Sequence, residues 1–251
     1  MLFRSEDLTD LCTLTIDPET AKDFDDALSI LCNKKGEYTL FVHIADVAYY
    51  VKPGSSLDQE AEKRCNSTYF PQFCLPMLPH ELSSALCSLQ PDVIRLAVTV
   101  KMVFDKEGKL INSHIFRSFI KSCKRFTYEE AAQVLEGTLN SPYLKELQLL
   151  KELCLLFKKE RKERGSVDFS LPELVVMVDP KTGEPLGLKT IPYDITHQLV
   201  EECMLKANEA VAIYLSKNAP ACIYRIHEEP EEETLEEFYT LARRLGFRSE
   251  E

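Results

Sequence analysis

No run of apolar residues in this sequence approaches the ~18–20 that a membrane-spanning helix requires, so no segment is expected to cross a bilayer. The opening stretch, MLFRSEDLTDL, places acids where a secretory leader needs an unbroken apolar region, and export is not expected. There is no C-x-x-C pair, which argues against a zinc ribbon and against a thiol redox motif. Internal repeats, low-complexity tracts and Gly/Ser linkers are also missing, so nothing demands a domain boundary. Basic residues are in the minority: 30 Lys and Arg against 41 Asp and Glu give a net charge of −11. That balance is wrong for a protein that grips nucleic acid by overall charge. The deficit is uneven, because residues 228–251 carry −6 and leave −5 for the rest. An acidic metal site facing phosphates remains compatible with it, since bound divalent ions invert the local field.

What is present is the composition of a globular chain: 251 residues, 45% hydrophobic and 28% charged, enough for one large domain or two modest ones. Nine cysteines, an odd number, sit mostly in apolar contexts such as ALCSL and ELCLLF. They read as reduced, buried thiols of a cytoplasmic protein. The first half is strand-like. TLTI (13–16), ALSIL (27–31) and YTLFVHI (38–44) are short apolar or β-branched runs separated by turn residues. RLAVTVKMVF (95–104) and KLINSHIFRSFI (109–120) flank DKEG as a hairpin, with apolar groups on both faces that imply a central place in a sheet. The second half is richer in helix. Thr127-Tyr128-Glu129-Glu130 has the form of a capping box. Leucines at helical spacing run from Pro142 to a stop at Gly165. ELVVMVDPKTGEPLGLKTI reads as two strands, and further helices are predicted from near Asp194 or Thr196 to about Lys217 and from Pro230. Strands followed by helices point to an α+β arrangement around one sheet.

The most informative stretch is Thr15-Ile16-Asp17-Pro18-Glu19-Thr20-Ala21-Lys22-Asp23-Phe24-Asp25-Asp26-Ala27, which spaces its aspartates as D-x5-D-x-D-D. Pro18 disfavours helix at Asp17, so the segment reads as a loop leaving a strand. Carboxylates converging there would repel and raise one another's pKa unless cations sat between them. Hard oxygen ligands suit Mg²⁺ or Mn²⁺, and such sites serve phosphoryl chemistry. An EF-hand is excluded, because the positions that would need Asn or Asp, Gly and Glu lack them. A solvated acidic turn is the alternative.

The segment LTIDPETAKDFDDALSI closely resembles the signature of the RNB family of exoribonucleases, the ribonuclease II and ribonuclease R group. The similarity continues through FVHIADVAYYVKPGSSLDQEA, NSTYFPQFCLPMLPHELSSALCSLQP, RLAVTVKM, FTYEEA, ERGSVDFSLPE, HQLVEECMLKANEAVA and YRIHEEP, and so spans almost the whole chain. PMLPHELSSALCSL is more similar to the ribonuclease R branch. The resemblance implies a mixed, largely antiparallel sheet packed with helices. It also implies processive 3′-to-5′ hydrolysis of single-stranded RNA to nucleoside 5′-monophosphates in the cytoplasm. Asp17, Asp23, Asp25 and Asp26 would be the catalytic and magnesium carboxylates, holding two ions, with Asp17 and Asp26 the direct ligands of the first. Loss of Asp25 as Asn should abolish chemistry and spare RNA binding.

Tyr69 resembles the family tyrosine that stacks on a base near the RNA 3′ end, and Phe169 resembles its partner at the other end of the stack. Sequence-indifferent stacking worth ~1–3 kcal/mol per base suits such an enzyme. Each could equally be a core aromatic. Tyr128 and Glu201, with Glu202 the alternative, resemble the pair that contacts the sugar–phosphate chain and favours ribose. The same residues also read as a helix start and a solvated helix face. His43 and Asp46 belong to the signature, but a buried strand end explains them equally well. Arg117, Lys121, Lys124 and Arg125 form a basic cluster that could touch phosphates.

Family members continue to a second signature of the form T-S-P-I-R-R-Y, whose arginine stabilises charge on the scissile phosphate, and carry flanking cold-shock and S1 modules. None of these occurs in the 251 residues. The expectation is therefore an RNB catalytic domain that is incomplete at its C-terminus. It would act as an exoribonuclease, or else as an RNA- and metal-binding module or one half of a split enzyme joined by a separate chain.

Overall fold

Alternation of β-branched and aliphatic residues with small or polar ones gives the first half strands with two different faces. The computed structural model describes residues 5–71, 73–167, 173–179 and 182–247. Strands β1 (Glu6–Asp7), β2 (Thr13–Asp17), β3 (Asp26–Cys32) and β4 (Tyr38–Ala45) come first, followed by helices α1 (Val47–Tyr50) and α2 (Ser56–Arg64). A small hairpin of β5 (Thr68–Tyr69) and β6 (Cys74–Leu75) and a π-helical turn over Leu82–Leu86 lead to the long strands β7 (Ile94–Phe104) and β8 (Leu110–Thr127). Then come α3 (Tyr128–Glu136), α4 (Leu144–Glu163), the hairpin β9 (Glu173–Val178) and β10 (Pro185–Ile191), α5 (Ile195–Asn218) and α6 (Glu232–Arg244). The predicted α+β class holds.

The main sheet has six strands in the order β1-β8-β2-β3-β4-β7, and β7 also pairs with β8. Strands β2, β3, β4, β7 and β8 therefore close into a ring, antiparallel at every step except the parallel one between β8 and β2. Closure depends on the length of β8. Its first two-thirds pair with β7 as far as Lys121, and its last residues pair with β2, from Thr13 opposite Ser122 to Asp17 opposite Thr127, with a register shift between Thr13 and Leu14. The hairpin around DKEG is thus as predicted and both its strands have neighbours on each side, but the second runs on to Thr127 and its beginning is exposed.

One face of the ring strands carries the large apolar residues. Leu14, Ile16, Leu28, Ile30, Leu40, Val42, Val100, Met102 and Phe104 meet α3, α4 and the first part of α5 in the main core. Helix α3 starts on the predicted capping box, and Gly165, at φ +89°, follows the end of α4. The other face is small and polar, and a second core packs against it. There Ala27, Ala45, Ala97 and Ile120 meet Phe24, Leu78, Leu82, Cys87 and Leu89. Thr13, Ser29, His43, Thr99 and Ser118, one from each ring strand, lie buried on this polar face. The nine cysteines are free thiols; Cys87, Cys154 and Cys203 are buried, but Cys32 and Cys65 are exposed, so burial holds for only part of the set.

The chain divides into residues 1–213 and 214–251. In the second unit, α6 opens on Glu232 and Glu233 and closes on Arg243 and Arg244, matching the helix dipole at both ends. Among the described residues no helix is long and apolar enough to cross a membrane.

Candidate active site

Asp17 ends β2 and Asp26 begins β3, and these strands are antiparallel neighbours with Leu14 opposite Leu28. The loop 18–25 therefore returns the chain so that two carboxylates stand at adjacent strand ends, with Asp23 and Asp25 on the loop between them. Pro18 starts it with a turn in which the Ala21 amide donates to the Pro18 carbonyl at 3.0 Å. Burial pushes Asp17 up to about 7, with the charge of Asp26 the second cause; the Thr15 hydroxyl and Arg125 pull the other way, and Asp25 adds a further push. Asp26 is raised to about 6 by burial and then by Asp25, and Asp25 is raised by burial and then by Asp23. The coupling runs from Asp23 through Asp25 and Asp26 to Asp17. Repulsion was the expected cause of these shifts, but desolvation leads and repulsion adds to it. Asp17, Asp23 and Asp26 are half-buried, whereas Asp25 and residues 18–20 are exposed, so only part of the segment is a solvated turn.

Asp17 Oδ2 and Thr15 Oγ1 are buried without a hydrogen-bonded partner in ordinary geometry, although the Thr15 dipole lies near enough to favour the charged carboxylate. An orphaned, desolvated carboxylate oxygen beside a second carboxylate is a donor set for a hard cation. Among the described residues no three Asp, Glu, His or Cys side chains stand close enough together to hold an ion. Asp17 and Asp26 alone could still serve magnesium, which commonly takes one or two carboxylates directly and completes its shell with water and phosphate oxygens. They do not form an all-protein cage.

The loop backbone is held from two sides. Arg125 Nη2 donates to the carbonyls of Pro18 and Glu19 at 2.6 and 3.1 Å, and its guanidinium lies over the Phe24 ring. Arg125 reaches the loop because β8 sets it opposite Thr15. At the far end Phe24 is buried in the second core and is bound on both sides of its backbone by Ser88 and Leu89. Neither Arg125 nor Ser88 was legible as a partner of the loop: the first needs the β2–β8 register, and the second is a serine in a run of apolar residues.

Of the residues assigned to RNA, Tyr69 is 69% exposed, not a core aromatic, and its hydroxyl donates to Asp23 Oδ2 at 3.3 Å. The stacking candidate thus stands beside the acidic loop. Tyr128 follows Thr127, the partner of Asp17 on the adjacent strand β8, and its ring stacks on His197 at 3.8 Å. Glu201 is exposed one turn further along α5 from His197, so the structure brings Tyr128 and Glu201 to the same stretch of that helix. Glu202 is buried and paired with Arg161 at 2.8 Å, which leaves Glu201 as the one facing solvent. Phe169 lies outside the described residues.

The basic cluster is already engaged. Arg117 pairs with buried Asp46 at 3.0 Å, Lys121 stands 3.6 Å from Asp92, and Lys124 stands 3.5 Å from Glu130. His43 is buried and pushed down to about 3, with Ser29 and Thr99 on its two ring nitrogens, and Asp46 caps α1. Both signature residues are accounted for by the fold.

Fold and loop together define an α+β protein that gathers carboxylates on a segment clamped to a closed sheet. A family model described as the RNB domain matches residues 5–250. Ribonuclease R of Chlamydia muridarum is 46% identical over 246 residues, 98% of this chain and 35% of that protein. The structure of Mycoplasma genitalium RNase R in complex with ribose methylated single-stranded RNA matches with a TM-score of 0.93 at 32% identity, covering 98% of this chain and 39% of that one. Yeast Ssd1, described as a pseudonuclease, matches with a TM-score of 0.77 at 20% identity over 96% of this chain and 30% of its own, a likeness of fold alone. The chain belongs to the RNB family. It spans about a third of the length of the curated relatives it matches.

Proposed function

We propose that this chain is the metal-binding part of a magnesium-dependent 3′-to-5′ exoribonuclease of the cytoplasm, which hydrolyses single-stranded RNA processively to nucleoside 5′-monophosphates. The observation that carries the reading is the pair Asp17 and Asp26, two neighbouring desolvated carboxylates raised to about 7 and about 6, one with an orphaned oxygen. With both groups charged, the arrangement is favourable only beside a cation. A divalent ion held there supplies Lewis acidity toward a phosphodiester and acidifies water. Asp25 completes the carboxylate set from the loop, and Asp23, tied to Tyr69, links the set to an exposed stacking ring. Tyr128 and Glu201 would contact the sugar–phosphate chain, with Glu201 accepting from a ribose 2′-hydroxyl. The names of the relatives support RNA as substrate.

The test is release of labelled monophosphate from 3′-labelled poly(A) in Mg²⁺, with Asp25→Asn as control. Turnover by the unsubstituted chain alone supports the nuclease. A second reading, a module that binds RNA or metal without turnover, is favoured by the lack of three convergent ligands among the described residues. A gel shift with no monophosphate in either protein would establish that reading and displace the first.

A further inference from the structure

The geometry points to Ser88 as a positioning residue that fixes Asp23 in the acidic loop. The inference rests on the reading of that loop as a metal site, and it concerns a residue that touches neither metal nor RNA. Ser88 is fully buried just beyond the π-helical turn. Its hydroxyl donates to the carbonyl of Lys22 at 2.9 Å and accepts from the amide of Phe24 at 3.0 Å. One side-chain oxygen therefore holds the residue before Asp23 and the residue after it.

The neighbours of Ser88 make the hold rigid. The Leu89 amide donates to the Phe24 carbonyl at 2.8 Å, so Phe24 is gripped at both backbone groups. Its side chain is buried with Leu78, Leu82 and Leu89. Ser88 is itself anchored, since its carbonyl accepts from Arg95 Nε at 2.9 Å while Arg95 Nη2 reaches the Ala85 carbonyl at 2.9 Å. The Ala45 amide closes the end of the loop on the Asp25 carbonyl at 3.0 Å. An irregular segment bearing mutually repelling carboxylates would otherwise spread them. The Ser88 hydroxyl, with two bonds where a loop has no ladder of its own, keeps Asp23 facing Tyr69 and Asp25. Outer-shell groups of this kind commonly control metal affinity through the ligands they orient.

The experiment compares the unsubstituted chain with Ser88→Ala, Ser88→Thr, which keeps the hydroxyl, and Leu78→Ala, which loosens the same core without touching the loop backbone. Two quantities are read: native-state amide exchange at Phe24 by NMR, and binding of manganese(II) ions by calorimetry. Ser88→Ala is expected to speed exchange at Phe24 by about tenfold, with little change in the ring strands, and to weaken manganese binding by about tenfold. Ser88→Thr is expected to restore both. Leu78→Ala is expected to lower the melting temperature while holding manganese affinity within about twofold. If Ser88→Ala does not fold, Ser88→Cys, which keeps volume and weakens both bonds, carries the same expectation at smaller amplitude. Unchanged exchange at Phe24, or unchanged manganese affinity despite faster exchange, overturns the inference alone. Failure of the unsubstituted chain to take up manganese overturns the metal reading, and the role assigned to Ser88 with it.

Discussion

The polar face of the ring and the acidic loop are built from adjoining stretches of the same strands, yet they treat buried polar groups in opposite ways. On the ring, Thr13, Ser29, His43, Thr99 and Ser118 form one continuous run of contacts of 2.8, 3.0, 2.8 and 2.6 Å, each strand contributing one member. Every one of these side chains has a partner, and His43 is held neutral by burial. At the loop, Asp17 and Asp26 are half-buried against neighbouring charge, Asp25 is exposed beside them, and one Asp17 oxygen has no partner. A satisfied network rigidifies a fold, while an unsatisfied one is tolerated where another group is meant to arrive.

The two regions also tilt stability with pH in opposite senses. Asp17 binds its proton more tightly in the folded chain than in the unfolded one, so its contribution falls as pH rises from about 4 to about 7. His43 binds its proton less tightly when folded, so its contribution falls as pH drops from about 6.5 toward about 3.

The sharpest way to break the contrast is Asp25→Asn. If the chain hydrolyses poly(A), turnover should fall by about 10³-fold with the fold intact, because an exposed loop charge is removed and not a structural bond. Loss of the fold by circular dichroism would place Asp25 with the ring instead. Next in size is Tyr69→Ala, expected to weaken binding of single-stranded RNA by ~1–3 kcal/mol, with Tyr69→Phe near the unsubstituted value; fluorescence anisotropy decides. His43→Leu leaves Ser29 and Thr99 each one partner short in the interior and should cost about 2 kcal/mol in urea unfolding at pH 7. It should also flatten the acid limb of the stability profile, and a limb as steep as before would show that other groups set it. Smallest is Asp17→Asn without metal. It should stabilise the chain at pH 8 by about 1 kcal/mol, after allowance for solvent screening, and do nothing at pH 4. An equal effect at both pH values would show that the charge is not the cause.

Much of this was legible from residue pattern. Runs such as TLTI, ALSIL and YTLFVHI became β2, β3 and β4 nearly to the residue, because alternation and flanking turns are local properties. Thr127 to Glu130 formed the capping box that its spacing predicts. The loop was legible because Pro18 and the density of aspartates are local too. Closure of the ring was not: the pairing of β2 with β8 joins Thr13 to Ser122, and no periodicity in either segment announces it. The roles of Arg125 and Ser88 were hidden for the same reason, since each meets the loop only through contacts distant in sequence. The choice between Glu201 and Glu202 also waited on the structure, where Arg161 claims the second.

The parallel seam between β2 and β8 has a consequence for how the chain is born. Asp17 leaves the ribosome well before Thr127, and the strand that flanks it is finished only when Thr127 has been added. Until then β2 lacks its parallel partner, and the loop that follows it has no anchor in Arg125. Pairings so far apart in sequence are slow to form. The acidic loop should therefore be among the last features to reach its folded arrangement, and a nascent chain arrested before β8 should lack it.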